Sequence, residues 1–496
     1  MMKSRPFVQC LRVYWVVITL WCELIVFYSS VRLCTWPDSA LSSPTHLLLV
    51  ADPQILDHRS YPNRSPILTY FTQLIVDLNI RKSWKAALRT RPDIIVFLGD
   101  MMDGARFVTS DVEYEKYYHR FRNIFSTRSQ IPVQFIPGNH DIGLQDLTSI
   151  SGPARRRYKS HFGPLNSYLS ISNHTIVFLD APSLVEEDFE RVSNGRLYSE
   201  WHGTAGGSVE FIKVVAKGKM EDPVILFSHI PLYRDAENCG PVREKGTIRA
   251  GGGVGYQNML GKDVTTFLLQ TLRPSIAFSG DDHDYCVHYH PTAAHGGIYP
   301  IREVSVKSMS ISMGIRRPGF QLLSLDPWDG RSDRAQQRQA DMPCFLPDQL
   351  GIYLSVYIPS LLVSILAVFA ANACRLKVTL NTRQPIQRTS SPQRATQTVS
   401  SLHQVKDLEF AEDSTGSTSV LPYPVSILAG GHRYPSLLRQ FGARAYSLFP
   451  VSTSPQPGSR RQRRTSFLGG SLLDIWAIAV FPLGVFAVIS IYVTFV

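Results

Sequence analysis

Cysteine is scarce in this sequence, and the arrangement of its 7 cysteines among 496 residues rules out one class of metal site. A CxxC pair is absent, and so is the ligand spacing of a zinc ribbon, which excludes a structural zinc site built from thiolates. Four cysteines lie outside the long apolar runs: Cys34, Cys239, Cys286 and Cys344. These four are suited to pairing in an oxidising compartment, but free buried thiols fit the sequence equally well.

Charged residues are also scarce, at 18% of the chain, although the net charge is +11. Residues 375–465 contain 13 Lys and Arg against 4 Asp and Glu, so this stretch carries nine of the eleven surplus positive charges. The rest of the chain is close to neutral, which argues against nucleic acid as a partner. The same stretch is rich in Ser, Thr, Gln and Pro without periodicity, and we predict a disordered basic cytosolic loop over 375–470.

Long apolar runs occur at residues 13–31, 350–374 and 474–496. Crossing the hydrocarbon core of a bilayer takes about 20 residues, so each run is long enough to span a membrane. We predict that the first run is a signal anchor and that the other two are transmembrane helices. A cleaved signal peptide is the alternative for the first run, but its length and Glu23 within it favour an anchor.

Basic residues beside these runs predict the orientation of the chain. They are Lys3, Arg5 and Arg12 before the first run, Arg375 and Lys377 after the second, and the RRQRR segment before the third. Because basic flanks are retained in the cytosol, residues 1–12 are predicted to be cytosolic and residues 32–349 lumenal. Glycosylation sequons begin at Asn63 and Asn173 in the lumenal region. A KDEL-like or dilysine signal is absent from the C-terminus, so the sequence does not distinguish residence in the endoplasmic reticulum from residence in the Golgi.

Between the first two apolar runs, apolar stretches of strand length alternate with polar stretches of helix length. The candidate strands lie at 46–52, 93–100, 133–141, 175–182, 223–231, 275–282, 302–310 and 319–326. Several of them are uninterrupted apolar runs, which are typical of strands buried on both faces of a sheet. We therefore predict that residues 45–327 form a layered α/β domain with the polar ends of its strands at one edge.

Five of these strands end in residues of the types that serve as metal ligands in proteins. They are Asp52 and Gln54, then Asp100, then Asn139, His140 and Asp141, then His229, and finally Asp281 and His283 in the segment FSGDDHDYC. A single Asp after a strand usually caps a helix, but ligands gather at the carboxyl ends of strands, and five such motifs predict one shared site. A divalent cation reverses the repulsion among crowded carboxylates. Oxygen and nitrogen ligands without thiolate suit Mn²⁺, Fe²⁺ or Zn²⁺.

The order of these motifs, D-x-Q, GDxxD, GNHD, H and GDDH, resembles the calcineurin-like metallophosphoesterase superfamily over roughly residues 45–327. The resemblance implies a four-layer αββα sandwich and phosphodiester hydrolysis assisted by two divalent ions. It implies that Asp52 binds the first ion, that Asp100 bridges both, and that Asn139 and His229 bind the second. His140 matches the family's proton donor to the leaving group, here supported by Asp141 or Asp103.

Two positions depart from the family pattern, because Gln54 and Asp281 stand where the family usually has histidine. An amide oxygen and a carboxylate are both suitable ligands, so Gln54, Asp281 and His283 remain candidate ligands in the resemblance. Both changes make the site richer in oxygen, and this favours Mn²⁺ over Zn²⁺ or Fe²⁺.

Further motifs, among them ADPQILDHRSYP, GDMMDGAR, HIPLYR and CGPVRE, lie between the predicted membrane segments. They are similar to those of fungal enzymes of the endoplasmic reticulum membrane that trim ethanolamine phosphate from GPI-anchor glycans. The resemblance implies that GPI-anchored proteins or GPI glycolipids are the substrates and that trimming aids their exit from the endoplasmic reticulum. The candidate substrate contacts are Tyr61, Tyr233, Arg234 and Arg243, with loop packing as the alternative for each.

Two other functions fit the sequence. One is a lumenal metallophosphoesterase of the same superfamily that acts on a phospholipid or a phosphomonoester. The other is a cargo adaptor for GPI-anchored proteins that has no catalytic activity. The complete set of candidate ligands argues against the adaptor, because a receptor has no need of so many converging polar groups.

Overall fold

A computed structural model of the chain describes residues 6–127, 130–144, 148–218, 222–236, 239–253, 255–291, 300–327, 338–381 and 466–495. The basic cytosolic loop expected over 375–470 lies mostly outside these ranges and stays a prediction. The strands are β1 Thr45–Val50, β2 Ile94–Phe97, β3 Val133–Phe135, β4 Ser167–Ile171, β5 His174–Leu179, β6 Val224–Ser228, β7 Gly252–Gly253, β8 Tyr256–Gln257, β9 Ile276–Ser279, β10 Cys286–His290, β11 Ile301–Ser305, β12 Gly319–Leu325 and β13 Gln339–Phe345.

Helices connect most of these strands. They are α1 Pro6–Leu20, α2 Val26–Arg32, α3 Pro66–Ala87, α4 Asp111–Ile124, α5 Asn139–Ile142, α6 Thr148–His161, α7 Ala181–Ser193, α8 Ser208–Lys217, α9 Lys262–Leu272, α10 Gln349–Ile352, α11 Ile358–Asn381 and α12 Phe467–Phe495. Local sequence sets where they begin. In α3, for example, Pro66 occupies the first turn, and the backbone N–H of Leu68 donates to the side chain of Ser65. Such a cap satisfies a donor that the first turn leaves unpaired.

The strands form two large sheets. The first sheet has the order β13-β12-β1-β2-β3, with β1, β2 and β3 parallel. The second has the order β10-β11-β9-β6-β5-β4, with β5, β6, β9 and β11 parallel. In both sheets the antiparallel strands lie toward the edges, so the carboxyl ends of the central strands point the same way within each sheet.

Side-chain alternation along the strands divides the domain into four layers. In β1, Leu47 and Leu49 belong to a buried cluster that also contains Phe178, Phe227 and Phe278 of the second sheet. The alternate residues of β1 pack in a separate cluster with side chains of α3 and α4. The outer face of the second sheet packs against α7, α8 and α9. The domain is therefore an αββα sandwich, as the resemblance implied.

The sheet continues beyond residue 327, where we expected the domain to end. Strand β13 pairs with β12 from Gly319 opposite Phe345 to Leu325 opposite Gln339. Cys344 of β13 forms a disulfide with Cys34, and Cys239 forms a second one with Cys286. The structure thus pairs the four cysteines for which the sequence left pairing open.

Three described helices are long and apolar enough to cross a membrane: Pro6–Arg32, Gln349–Val378 and Phe467–Phe495. Each contains most or all of one predicted apolar run. Short π-helical turns interrupt the first at Trp21–Ile25 and the second at Tyr353–Tyr357. These helices indicate a membrane protein, and the sandwich lies in the chain between the first and the second of them.

Candidate metal centre

The carboxyl ends of strands from both sheets meet at one buried cluster. Asp52 follows β1, Asp100 follows β2 and His229 follows β6, and one ligand atom of each lies within 4.8 Å of the others. All three are fully buried. Asn139, after β3, places its Oδ1 atom 3.2 Å from His229 Nε2, and Asp281, after β9, places its Oδ1 atom 3.5 Å from the same nitrogen. Five residues far apart in the sequence therefore surround one point.

The backbone at this cluster takes a conformation that side chains ordinarily avoid. The φ angle is 47° at Asp52, 36° at Gln54, 56° at Asp100, 58° at Asp281 and 66° at His283. A non-glycine residue in the left-handed region costs roughly 1–3 kcal/mol, and such strain concentrates at functional sites. The fold holds these side chains in place at the expense of local stability, which points to a role other than packing.

Two glycines let the strand ends approach closely. A Cβ atom at Gly99 would overlap the ring of His229, and one at Gly138 would overlap the carboxylate of Asp100. Gly99 also has a φ of 91°, which favours glycine. The sequences FLGD and PGNHD therefore require glycine because the side chain of a candidate ligand occupies the space beside it.

His229 is oriented by a backbone carbonyl on the far side of its ring. Its Nδ1 atom donates to the carbonyl of Leu98 at 2.7 Å, which leaves Nε2 facing the carboxylates. The Nε2 atom lies 3.4 Å from Asp100 Oδ1. Metal-binding histidines in proteins are commonly held in this way, with one nitrogen fixed by a carbonyl and the other free for the ion.

The charges of the cluster fit a divalent cation. The Oδ2 atoms of Asp52 and Asp281 are buried without a hydrogen-bond partner among the described residues. Burial, together with the nearby carboxylates of Asp100 and Asp281, outweighs the charge of His229 and raises the pKa of Asp52 well above its ordinary value. A bound cation would satisfy the unpaired oxygens and keep the carboxylates ionised.

Gln54 also lies at the cluster. It faces the cluster with its amide nitrogen, whereas the predicted ligand role needs its amide oxygen. Its Nε2 atom donates to Asp100 Oδ2 at 2.9 Å and lies 3.2 Å from His283 Nε2. An ionised carboxylate only accepts hydrogen bonds, so the amide nitrogen must face Asp100. Gln54 therefore steadies Asp100 and His283. Burial, followed by the charge of Lys245, lowers the pKa of His283 to about 4, so its ring is neutral and able to bind an ion.

Comparison with known proteins identifies the family. The calcineurin-like phosphoesterase family matches residues 46–285. Cell division control protein 1 of Saccharomyces cerevisiae is 37% identical over 364 residues, which cover 68% of this chain and 71% of the relative. The chain belongs to the calcineurin-like phosphoesterase family. It is accordingly a hydrolase of phosphoester bonds, and a metal site at the Asp52, Asp100 and His229 group agrees with that chemistry.

A more distant relative agrees with this assignment. The Metallophosphoesterase 1 homolog of Drosophila melanogaster is 24% identical over 62% of this chain and 81% of the relative. Among solved structures, a dimetal phosphatase from Danio rerio covers 61% of this chain and 100% of its own, with 15% identity and a TM-score of 0.35. A TM-score this low adds nothing to the family assignment.

His140 stands at the rim of the phosphoesterase site. Its Nδ1 atom lies 2.5 Å from the carbonyl oxygen and 3.3 Å from the carboxylate of Asp103, and its Nε2 atom lies 3.9 Å from Asp100 Oδ2. Burial alone would lower the pKa of His140, but the charges of Asp100 and Asp103 outweigh it and raise the pKa above the ordinary value. His140 is therefore placed to carry a proton at the edge of the site.

Asp141, which we expected to act in catalysis, has a different role in the phosphoesterase. Its carboxylate accepts hydrogen bonds from the backbone N–H groups of Asp100, Met101 and Gly138 at 2.8–3.0 Å. The nearest contacts of the His140 ring are with Asp103 instead. Asp141 thus joins the two loops that carry Asp100 and Asn139, and of the two supports that the sequence left open for His140, the structure favours Asp103.

The residues expected to contact substrate are mostly engaged in other interactions. Tyr61 lies under the guanidinium group of Arg64, and the hydroxyl of Tyr233 donates to Asp235. Arg243 pairs with Asp282, the residue between the candidate ligands Asp281 and His283. Arg243 therefore fixes the loop that carries two candidate ligands, a role that sequence spacing did not reveal.

Arg234 is buried in an ion pair. Its role is therefore the packing of a loop, the alternative to substrate contact that the sequence left open. Its guanidinium group lies 3.0 Å from Glu303 Oε1 and also donates to Ser305 Oγ at 3.1 Å. The ring of His290 meets the other oxygen of Glu303 at 2.9 Å. All three charged or titratable groups are buried, and Glu303 also accepts hydrogen bonds from the backbone N–H of Leu232 and from Ser279 Oγ.

Replacement of Arg234 by Met is expected to lower the free energy of unfolding by roughly 3–5 kcal/mol, because the buried charge of Glu303 would lose its cationic partner Arg234. Burial alone would raise the pKa of Glu303, but Arg234 and His290 lower it from 4.5 to about 2. The pair therefore stabilises the protein above pH 4.5, and this contribution is lost as the pH falls toward 2. Thermal unfolding in detergent at several pH values measures the difference. A raised KM with unchanged stability would instead restore a substrate role.

Arg106 is a candidate functional residue that the sequence analysis missed. Burial lowers the pKa of Arg106, and the charges of Asp100, Asp103, Asp141 and Asp281 act in the opposite direction, so its guanidinium group lies within electrostatic range of the cluster. Its Nη1 atom is buried and lacks a hydrogen-bond partner within the described part of the chain. The segment GDMMDGAR contained the signal, because an arginine follows a candidate ligand by six positions. Such a group is suited to bind an anion.

Proposed function

We propose that this phosphoesterase is a metal-dependent phosphodiesterase that removes ethanolamine phosphate from a mannose of GPI-anchor glycans. The products are a free mannose hydroxyl and phosphoethanolamine. The observation that carries the proposal is the buried Asp52, Asp100 and His229 group, with unpaired carboxylate oxygens beside it, in a domain that follows a membrane-spanning helix. The substrate class rests on the similarity of the surrounding motifs to enzymes of GPI-anchor trimming.

We further propose that the domain faces the lumen of the endoplasmic reticulum, with the Golgi as the alternative. The two disulfides, Cys34 with Cys344 and Cys239 with Cys286, support an oxidising compartment. A membrane location suits a substrate that is itself attached to a lipid, because enzyme and substrate are then confined to one surface. Trimming there would precede the export of GPI-anchored proteins.

Each residue of the site has a distinct part in the proposed reaction. The ligands Asp52, Asp100, Asn139, His229, Asp281 and His283 would hold two divalent ions, most suitably Mn²⁺ because oxygen ligands predominate. Bound ions of this kind supply Lewis-acid polarisation of the phosphate and an activated water. His140 donates its proton to the departing mannose oxygen. Arg106 binds a phosphate oxygen and offsets the charge that develops there.

The proposal is tested with the full chain, purified in detergent, and a GPI glycolipid that carries ethanolamine phosphate on its mannoses. We expect mass spectrometry to show release of phosphoethanolamine, loss of this release after treatment with EDTA, and recovery with Mn²⁺. Retention of ethanolamine phosphate on the glycolipid would contradict the proposal. Faster hydrolysis of phosphatidic acid or another phospholipid under the same conditions would favour the other lumenal phosphoesterase.

Replacement of Arg106 by Ala is expected to lower kcat/KM for the diester by about 10–100-fold, as for loss of a hydrogen bond to a charged group. The metal content should stay unchanged, because Arg106 acts on phosphate and not on the ions. Arg106→Lys should recover part of the activity, since it keeps the charge without the two-pronged geometry of guanidinium. Loss of bound metal in Arg106→Ala would contradict this role.

A further inference from the structure

A groove of about 660 Å³ lies between helix α3 of the sandwich and the three membrane-spanning helices. We call it the membrane groove. Its apolar wall includes Phe71, Leu74 and Ile75 of α3, Leu361 and Val368 of the second span, and Ala479 of the third. Ligand sites in proteins generally have volumes of about 300–1,000 Å³, so the membrane groove is large enough to bind a molecule.

Polar side chains in the wall of the groove are paired with one another or with α3. The indole nitrogen of Trp15 donates to Ser364 Oγ at 3.0 Å. Glu23 accepts hydrogen bonds from Lys82 Nζ at 2.5 Å and from the hydroxyl of Tyr357 at 3.0 Å. Because these groups satisfy one another, the surface they leave for an occupant is hydrocarbon. An occupant that brings its own unpaired polar groups would be penalised there.

The apolar surface of the groove continues onto the outside of α3. Ile67, Leu68 and Tyr70 are 72%, 53% and 62% exposed, and they lie within one turn of Phe71. Large apolar patches on a protein surface mark contacts with partners or membranes. This patch joins the lipid-facing surface of three membrane spans, so the lipid bilayer is the surface that it meets. Arg64, two residues before α3, is exposed and stacked on Tyr61.

The same helix is directly connected to the candidate metal centre. The segment that leads into α3 begins at Asp52 and Gln54. It then pairs Ile55 with Met102, next to the loop of Asp100, before it reaches Pro66. The bilayer-facing helix and the site of hydrolysis are thus two ends of one short segment. Contact with both would require a substrate whose phosphodiester is separated from its hydrocarbon chain by a spacer.

We propose that the membrane groove binds a hydrocarbon chain of the lipid that carries the substrate phosphodiester. This rests on the proposed function, in which that phosphodiester is hydrolysed at the Asp52, Asp100 and His229 group. The groove selects substrates that are attached to the membrane and adds the binding of an apolar chain to the weak contacts of a glycan. Soluble diesters lack such a chain and gain nothing from the groove.

Variants that fill the groove test the proposal. Ala479→Phe and Leu361→Phe place a ring inside it, whereas Val480→Phe and Val363→Phe place the same ring on neighbouring surface that is 45% and 65% exposed. We expect the first pair to lower kcat/KM for a GPI glycolipid in phosphatidylcholine vesicles by at least about tenfold, through loss of apolar contact. Turnover of the soluble bis(4-nitrophenyl) phosphate should stay within about twofold in all four variants. Equal effects of the two pairs on the glycolipid would overturn the proposal.

A binding experiment tests whether the membrane groove binds a hydrocarbon chain, and it does not depend on activity. A GPI glycolipid with a diazirine in its hydrocarbon chain is irradiated with the wild-type protein in the same vesicles. Adducts should concentrate on peptides that contain Phe71, Leu361 or Ala479, should disappear in Ala479→Phe, and should be displaced by unlabelled glycolipid. Adducts spread over all spans without displacement would show contact with bulk lipid only and would overturn the proposal. If the wild-type protein hydrolyses neither substrate, the proposed function fails, while these adducts still decide the role of the groove.

Discussion

Replacement of Asp100 by Asn is expected to abolish hydrolysis and to remove bound metal from the protein. Asp100 lies within the group of Asp52 and His229, and the family resemblance gives it contact with both ions. Loss of a hydrogen bond to a metal ligand commonly reduces metal affinity or activity by about 10–100-fold, so loss of a shared ligand should exceed that range. Elemental analysis of the purified protein and turnover of a model diester measure the two effects.

The stability gained from metal should distinguish the two proteins. In the metal-free state, Asn relieves the repulsion between Asp100 and Asp52, but it also removes the attraction of Asp100 for His229 and His140. We therefore measure Tm of each protein with and without the ion instead of comparing the two metal-free proteins. Added Mn²⁺ should raise Tm of the wild type alone, since an ion at 100 times its Kd contributes about 2.7 kcal/mol. An equal rise in both proteins would contradict a ligand role for Asp100.

Asp180 provides a matched control for this experiment. It is also a buried aspartate directly after a strand, but its carboxylate accepts from the backbone N–H of Ser183 and caps α7. Asn caps helices about as well as Asp does, so Asp180→Asn should keep both metal and activity. The comparison separates a strand-end aspartate that caps a helix from one that belongs to the metal centre.

The sequence predicts the central strands better than the edge strands. The candidate strands that we placed from continuous apolar runs, such as 46–52 and 223–231, correspond to strands in the structure because both faces of these strands are buried. Strands β4, β10 and β13 were missed because edge strands alternate polar and apolar residues and need no continuous apolar run. Pro343 within β13 further weakened the pattern, although proline is compatible with an edge position.

The sequence predicted which residues form the candidate site, but it did not predict which contacts their side chains make. The carboxyl ends of parallel strands must gather at an edge, so the convergence of Asp52, Asp100 and His229 follows from topology. Sequence spacing alone could not decide whether Asp141 or Asp103 supports His140, because both lie close to it in the fold. It also could not show that Arg234 is buried against Glu303, since burial of a charged side chain depends on distant partners.

Replacement of His140 by Ala is expected to lower kcat for a mannose-linked ethanolamine phosphate by about 10²–10⁴-fold, as for loss of a general acid. The effect should depend on the leaving group. A mannose alkoxide is a poor leaving group and needs the proton of His140, whereas 4-nitrophenolate leaves without one. We therefore expect a loss of less than about tenfold with bis(4-nitrophenyl) phosphate. Equal losses with both substrates would instead assign His140 to metal binding or to folding.

The pH dependence provides an independent readout of the same role. Because the charges of Asp100 and Asp103 raise the pKa of His140, its acid form persists to a higher pH than in a free imidazole. Activity toward the mannose-linked diester should fall as the pH rises through that raised pKa, and this limb should be absent in His140→Ala. Asp103→Asn should shift the limb to lower pH while activity below it is largely kept. His161→Ala is the matched control, because His161 pairs with Glu115 at 2.7 Å away from the candidate ligands, and its removal should leave the profile unchanged.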